Sequence, residues 1–594
     1  MYYETSYDTS LKPFNHDKNR GKWSSPMDFF YSCIIHGFKV DAILIMPSLI
    51  FGDLGIYCLI PYLLVLATCV VPIVFLQSFL GQFSSTGFIS VFRISPLFKG
   101  IGYVSLAINL TTLTYYSIFG AIPLFFLFHS LRLTIPWSCD GAKKWMKHPE
   151  DTLTPCLDPE MHAALMANNI SREIKIPSYE FFKNHIQPMD LHTRGHPDYT
   201  FSWSLLICTL IIWMIVRKIV TKPMETVSRF IRYSCLTVIG ILCLLCLRLA
   251  FLPGAFEAIR ELFNPPGLNI HYIDVWGTIP FMALAALGPG WGSILTMASF
   301  NNFKTNIFNY SWLMCLAQFG IIFGLAIQGL FASSHYLRPD PKMIYHQYMH
   351  SQWMEFLLTP SALTFIEFPH FWTILFFGMM ILGTLNLMIV QFLSILTSIF
   401  DEYEKLRNVK NEVILVMAAC FTVVSISFCS NYGITFAELL AKFSAISQMV
   451  LNLFLLLVVL WIYGRERFQR DVNFMTGRTY PTWMVNIVRF VAPLFLLLSW
   501  AAGLVISLSL GYKTALLVTS ICCIVLLPWL FVPGYCIFKL LQTSGMLNVR
   551  FKRSIRPTDW YPVDSMYRNQ YEETFSRSEI SHQLTTTATG TTAE

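Results

Sequence analysis

Three ionisable residues stand inside one apolar run near the start of the chain, in the stretch Ile35-His36-Gly37-Phe38-Lys39-Val40-Asp41. An unpaired carboxylate in hydrocarbon is expensive, so Asp41 needs a cationic partner or water. The candidates are the amine of a bound ligand, the Lys39 ammonium, and solvent. On a helix or strand the two side chains would point apart, whereas an unwound stretch can bring them together. Pro47 and Gly52 then interrupt the run. A second interruption, Ala286-Leu287-Gly288-Pro289-Gly290-Trp291-Gly292, cannot continue as an unbroken helix, because Pro lacks a donor and Gly has poor helix propensity. Bared backbone at membrane depth is tolerated where it lines a cavity. Trp291 offers a cation–π face to an organic cation, or simple packing. No His-Glu-x-x-His or Gly-x-Ser-x-Gly pattern occurs, so nothing supports an intramembrane enzyme.

The elements that carry these residues follow from composition. Of 594 residues, 54% are hydrophobic and 13% charged. Soluble domains carry about 25% charged residues, so this chain cannot clothe itself against water and must lie in a bilayer. Twelve apolar runs approach or exceed the ~20 residues that cross the hydrocarbon as a helix. The first is Met27–Phe51 and the sixth Val275–Phe300, so the two interruptions occupy the positions expected of two five-helix halves with inverted topology. The net charge of +7 sits largely in links between runs and speaks to topology, not to nucleic acid. Arg93, Lys99, Arg217, Lys218, Lys405, Arg465 and Arg550 all fall on one side if both termini are cytoplasmic. Residues 1–26 and 542–594 are then cytoplasmic segments flanking a helical domain of 27–541, and the loop 136–200 lies outside. That loop holds Cys139, Cys156 and the sequon Asn169-Ile170-Ser171, so a disulfide and a glycan are expected there. Asn109-Leu110-Thr111 also fits a sequon but falls within a run. The Thr-rich end from Thr585 is expected to be disordered.

Several blocks are more specific. Trp461-Ile462-Tyr463-Gly464 with Arg467-Phe468, Asp471, Met475 and Gly477 resembles the W-x-Y-G-x-x-R-F-x-x-D-x-x-x-M-x-G signature of the neurotransmitter:sodium symporter family. Leu287-Gly288-x-Gly290-x-Gly292 with Ala298-Ser299-Phe300-Asn301 resembles that family's L-G-x-G-x-G and A-S-Y-N. Ile60-Pro61-Tyr62, Gly81-Gln82, Ser95-Pro96 through Tyr103, Tyr115-Tyr116 and Pro136-Trp137-x-Cys139 match in order. The resemblance covers roughly Arg20 to Leu541. It implies an all-α integral membrane fold of twelve transmembrane helices, a LeuT-type 5+5 inverted repeat with broken helices 1 and 6. It also implies a multi-pass plasma-membrane carrier that moves a small amine or amino acid past a midplane site.

Carried over residue by residue, the resemblance makes Tyr116 the hydroxyl that meets a substrate carboxylate and Asp41 the partner of a substrate ammonium. Ala285, Gly288, Gly290 and Trp291 line the pocket, and Arg20, Trp23 and Asp401 form the inner gate. Other positions depart from the family. Two residues are missing after Ala42, together with the Asn that coordinates the first sodium. The outer-gate Arg is Ile45 and its Asp partner falls on Leu440. The sixth-span Ser falls on Ala286 and the seventh-span Asn on Gln318. The second sodium site falls on Leu385-Asn386 or Asn386-Leu387. The chloride-site Tyr persists as Tyr62, but its Ser falls near Ile322. Sodium wants several oxygen ligands, and Gly37, Val40, Asn386 and Gln318 are those that remain. The first sodium site is therefore expected to be absent, with sodium retained as a candidate ion and chloride the weaker one. Lys39 can stand in for the ion, which would make transport sodium-independent or proton-linked. Loss of these ligands also fits a second reading, a family member without transport that serves as a membrane scaffold, sensor or regulator.

Overall fold

The computed structural model describes residues 15, 17, 20–38, 55–145, 176–186, 199–264, 279–285, 287, 288, 290–336, 354–509, 521 and 524–574. Among them there is no strand, only an isolated bridge between Phe201 and Ser430. The helices that matter are α1 (Pro26–Ile34), α2 (Gly55–Ser84), α3 (Gly100–Ser130), α4 (Trp203–Val220) and α5 (Met224–Ala250). They continue as α6 (Ile279–Ala285), α7 (Ser293–Ala298), α8 (Ile307–Tyr336), α9 (Pro369–Glu402) and α10 (Lys410–Ile426). Last come α11 (Asn431–Leu457), α12 (Arg465–Thr476), α13 (Ala492–Ser509), α14 (Phe531–Gln542) and α15 (Leu547–Ile555).

Ten helices among the described residues are long and apolar enough to cross a membrane. The other two expected spans are the first and the sixth, and neither is one helix over its described residues. α1 begins with a capping box, in which Ser25 takes the start of the helix and Asp28 reaches back to the Ser25 N–H, with Pro26 pre-set at the first position. It tightens to a 3₁₀ turn at Ile35–Phe38. The sixth run divides into α6 and α7, because Gly288, Gly290 and Gly292 take φ of +113°, +70° and +83°, a conformation that ends a helix and that only glycine adopts cheaply. α2 is whole, but carries a π turn at Leu66–Val70 just before Pro72, whose missing N–H breaks the regular ladder. The longest seam of the interior is the packing of α3 along α9, with α4 against both and α5 against α9.

The tail after α14 is more ordered than its polar sequence suggests. α15 packs on the Pro96–Phe98 turn and on α14, and Trp560 and a further helical stretch at 565–574 fold back against the end of α2 and the link after α7. Trp560 stacks on Phe83 at 5.3 Å and Tyr567 on Phe303 at 4.6 Å. Their anchor is Asp471 in the signature block, which accepts hydrogen bonds from Tyr571 Oη at 2.8 Å, Trp560 Nε1 at 3.3 Å and the Tyr463 hydroxyl. The signature is thus built for its neighbours: Phe468 packs edge-on to Phe79, and Gly477 closes α12 in the left-handed conformation. Tyr571→Phe removes one of three donors to a buried carboxylate. We expect it to weaken docking by about 1–3 kcal/mol and make residues 565–574 several-fold more sensitive to limited proteolysis. The Thr-rich end lies outside the described residues.

Candidate functional site

The interrupted sixth run is held by a network of amide side chains from four helices. Asn109 on α3 brackets Trp291: its Oδ1 accepts from the Trp291 N–H at 3.2 Å and its Nδ2 donates to the Trp291 carbonyl at 2.7 Å. Gln391 on α9 donates to Asn109 Oδ1 at 3.3 Å. The Trp291 indole donates to Asn452 Oδ1 at 2.9 Å, and Gln77 donates to the same oxygen at 3.0 Å. Trp291 is 2% exposed and stacks on Phe92, so its N–H and much of its surface are already committed within the protein. A peptide unit bared by three glycines would otherwise be an unsatisfied pair of polar groups, and the Asn109 bracket is what satisfies it. Asn109, Gln391 and Asn452 were not legible as site residues. The only available signal was an amide inside an apolar helix.

The far end of α1 meets this break. His36 is buried, with Nδ1 2.8 Å from the Cys33 carbonyl and Nε2 3.1 Å from Ser293 Oγ. A carbonyl only accepts, so Nδ1 carries the proton and, in the neutral ring, Nε2 accepts from the Ser293 hydroxyl. A Cβ on Gly288 would stand 2.7 Å from His36 Cδ2, which is why the loop passes here as glycine. Gly37 is equally close-packed, since a Cβ there would lie 2.9 Å from the backbone of Gln318 on α8. Phe38 fills the notch at Gly383 on α9. Lys39, Val40 and Asp41 lie outside the described residues, and so does the side chain of Ala285, the last residue of α6. Tyr116 is fully buried on α3, with Tyr115 and Phe119 at ring distances of 5.6 and 5.5 Å.

At the other end of α1 the chain is tied down by charge. Arg20 Nη1 lies 2.9 Å from Asp401 Oδ2 and donates to the Ser85 carbonyl at 2.7 Å, while Nη2 donates to the Ser299 hydroxyl. The two side chains are 6% and 1% exposed. Burial pushes the Arg20 pKa down from its ordinary value, and Asp401 and Asp17 push it back up. Asp401 also accepts the Gly87 N–H at 2.7 Å. Trp23 joins the same closure through Nε1 to the Met297 carbonyl at 2.8 Å and through its own N–H to the Phe300 carbonyl at 3.0 Å. Phe300 has no hydroxyl to offer and instead lays its ring 4.5 Å from the Arg20 guanidinium. Beside it, Glu402 takes Lys99 at 2.5 Å and Tyr103 at 3.2 Å.

Comparison with known proteins matches residues 20–543 to the family model described as the sodium:neurotransmitter symporter family. The chain belongs to that family. Among its relatives, a sodium-dependent acetylcholine transporter of Caenorhabditis elegans is 26% identical over 589 residues, covering 93% of this chain and 81% of the relative. The sodium- and chloride-dependent glycine transporter 1 of Xenopus laevis is 24% identical, with 92% and 89% covered. The human sodium- and chloride-dependent neutral and basic amino acid transporter B(0+) is 24% identical, with 96% and 94% covered.

In this family member the remaining ion-site candidates are thinly furnished. Gln318 spends its Nε2 donor on the Cys33 carbonyl at 2.8 Å, which brings it against α1 by its amide nitrogen. Asn386 is fully buried, and its Oδ1 accepts from Ser234 on α5 at 2.7 Å while Nδ2 meets no partner among the described residues. Tyr62 packs beside Phe319 at 5.3 Å, and its buried hydroxyl has no partner among the described residues. Cys139 opens a short helix, Cys139–Trp145, in the long loop, whereas Cys156 and Asn169 lie outside the described residues.

Proposed function

We propose that this chain is a secondary transporter of a small amine or amino acid at the plasma membrane, working by alternating access with both termini cytoplasmic. The observation that carries the reading is the meeting of the 3₁₀ turn that ends the described part of α1, at His36, with the glycine loop at Gly288 and the start of α7 at Ser293, in a chain whose α1 is also tied down by the buried Arg20–Asp401 pair. Bared backbone of this kind is where substrates and ions bind in broken-helix transporters. The substrate class follows the relatives, which are named for acetylcholine, glycine, and neutral and basic amino acids. The substrate sits against Asp41, Tyr116, Ala285, Gly288, Gly290 and Trp291. Arg20, Asp401 and Trp23 are the inner gate: while they are joined, the path to the cytoplasm is shut, and breaking them frees α1 to move.

Sodium is a candidate co-substrate, held by the carbonyls of Gly37 and Val40 with Asn386 and Gln318; Lys39 takes the place of one ion. Chloride, at Tyr62, has the weaker ligand set. A Cys139–Cys156 disulfide and a glycan on Asn169 mark the outer loop. One observation favours a second reading, a membrane scaffold or sensor without transport: the Gln318 amide nitrogen is committed to the Cys33 carbonyl of α1, a tie between helices that needs no ion. Uptake of pooled labelled amines and amino acids, in sodium and in choline, by cells with the protein confirmed at the surface separates these. We expect saturable uptake that persists in choline. Uptake lost in choline restores a working sodium site, and no uptake in either buffer favours the scaffold.

A further inference from the structure

The charged residues that precede or open α1 do not all join the Arg20 closure. Asp17 takes Lys410, at the start of α10, at 2.7 Å; Arg20 takes Asp401 on α9; and Asp28 takes Arg232 on α5. The last pair is separate from the gate described above. The Asp28 side chain is fully buried, and its Oδ1 accepts from Arg232 Nε at 2.8 Å and from Nη2 as well. Its other oxygen accepts the Ser25 N–H at 3.1 Å, so one carboxylate both caps α1 and holds α5. A carboxylate withdrawn from water keeps its charge at low cost only with donors of this kind, and a two-point guanidinium contact fixes direction as well as distance. Arg232 is presented from a helix that runs uninterrupted through Met224–Ala250. Two residues on, Ser234 of the same helix donates to Asn386 on α9. α5 is therefore a rigid post, secured to α9 on one side and to α1 on the other.

We propose that Asp28–Arg232 is a second lock on the cytoplasmic end, tying α1 to α5, and that α1 swings inward-open only when this pair and Arg20–Asp401 are both broken. The proposal rests on the alternating-access reading above. Both residues are positioning residues, since neither touches the residues assigned to the substrate. Each pair raises the free energy of the open form separately, so removing both multiplies the open population. Cys33, fully buried on α1 between Asp28 and His36, is a native reporter of that motion.

The test measures the rate at which Cys33 is modified by a membrane-impermeant cationic methanethiosulfonate in inside-out vesicles without substrate, with the site assigned by peptide mass spectrometry. Cys33 reacts slowly in the wild type. In Arg232→Gln the rate rises on the order of tenfold, and combination with Arg20→Ala multiplies the two increases. Arg232→Lys, which keeps the charge, stays within about threefold of wild type and controls for folding. A wild-type rate in Arg232→Gln, or an Arg232→Lys rate equal to that of Arg232→Gln, overturns the lock. Because no substrate is present, a protein that fails to take up any solute but shows the expected labelling pattern counts against the transport reading alone. Uptake together with a wild-type labelling rate in Arg232→Gln counts against the lock alone.

Discussion

Replacing Arg20 with Ala is expected to abolish most uptake while leaving protein at the cell surface. The Asp401 carboxylate is 1% exposed and, among the described residues, would keep only the Gly87 N–H as a close donor. Stranding one member of a buried ion pair costs about 3–5 kcal/mol, far more than the pair contributes in net stability. The penalty falls on the closed conformation, because opening lets Asp401 hydrate. The outward-facing state that must load substrate from outside is thereby depopulated. Arg20→Lys keeps the charge but not the fork that reaches Asp401, Ser85 and Ser299 together, so it should restore uptake only in part. The measurement is initial uptake rate normalised to surface protein, with a thermal melt of the purified protein alongside. A wild-type uptake rate in Arg20→Ala would remove the gate assignment.

Gly290→Ala should do more damage than any other single methyl group in the site. The added Cβ would fall 2.1 Å from Asn109 Oδ1 and 2.6 Å from Gln391 Nε2, and the residue has φ of +70°. The left-handed conformation costs a non-glycine residue about 1–2 kcal/mol, and the clash adds about 1–3 kcal/mol. The clash also falls on the bracket that satisfies both polar groups of Trp291, so relief by moving Asn109 exposes a second cost. The expected result is a melting temperature lowered by several degrees and little mature protein at the surface. Gly320→Ala is the control, since nothing lies within 4 Å of the Cβ it would add in mid-α8. Equal stability of the two variants would mean that the loop relaxes freely and that the bracket is not what holds it.

Composition and run length place this chain in a bilayer, because too few of its residues are charged to face water and its apolar runs repeat at spanning length. The break in the sixth run was equally legible, since proline and glycine act through their own backbone and need no neighbour to do so, whereas Pro47 and Gly52 of the first run lie outside the described residues. The signature around Tyr463, Asp471 and Gly477 was legible for the same reason of fixed spacing. Arg20, Trp23 and Asp401 were legible only through family resemblance; that the first and last meet 381 positions apart is a fact of packing.

Which polar side chains hold that break is a matter of packing between distant helices. Asn109 looked like an unusable sequon and is the bracket on Trp291; Trp291 looked equally suited to a ligand and to packing, and its indole N–H is spent on Asn452. Arg232 carries no mark of its partner in the sequence and is held by Asp28, 204 positions away. A buried polar group must find a partner, but sequence shows only that the need exists. Which distant helix meets it is fixed by how the apolar faces stack, and that is a property of the whole fold.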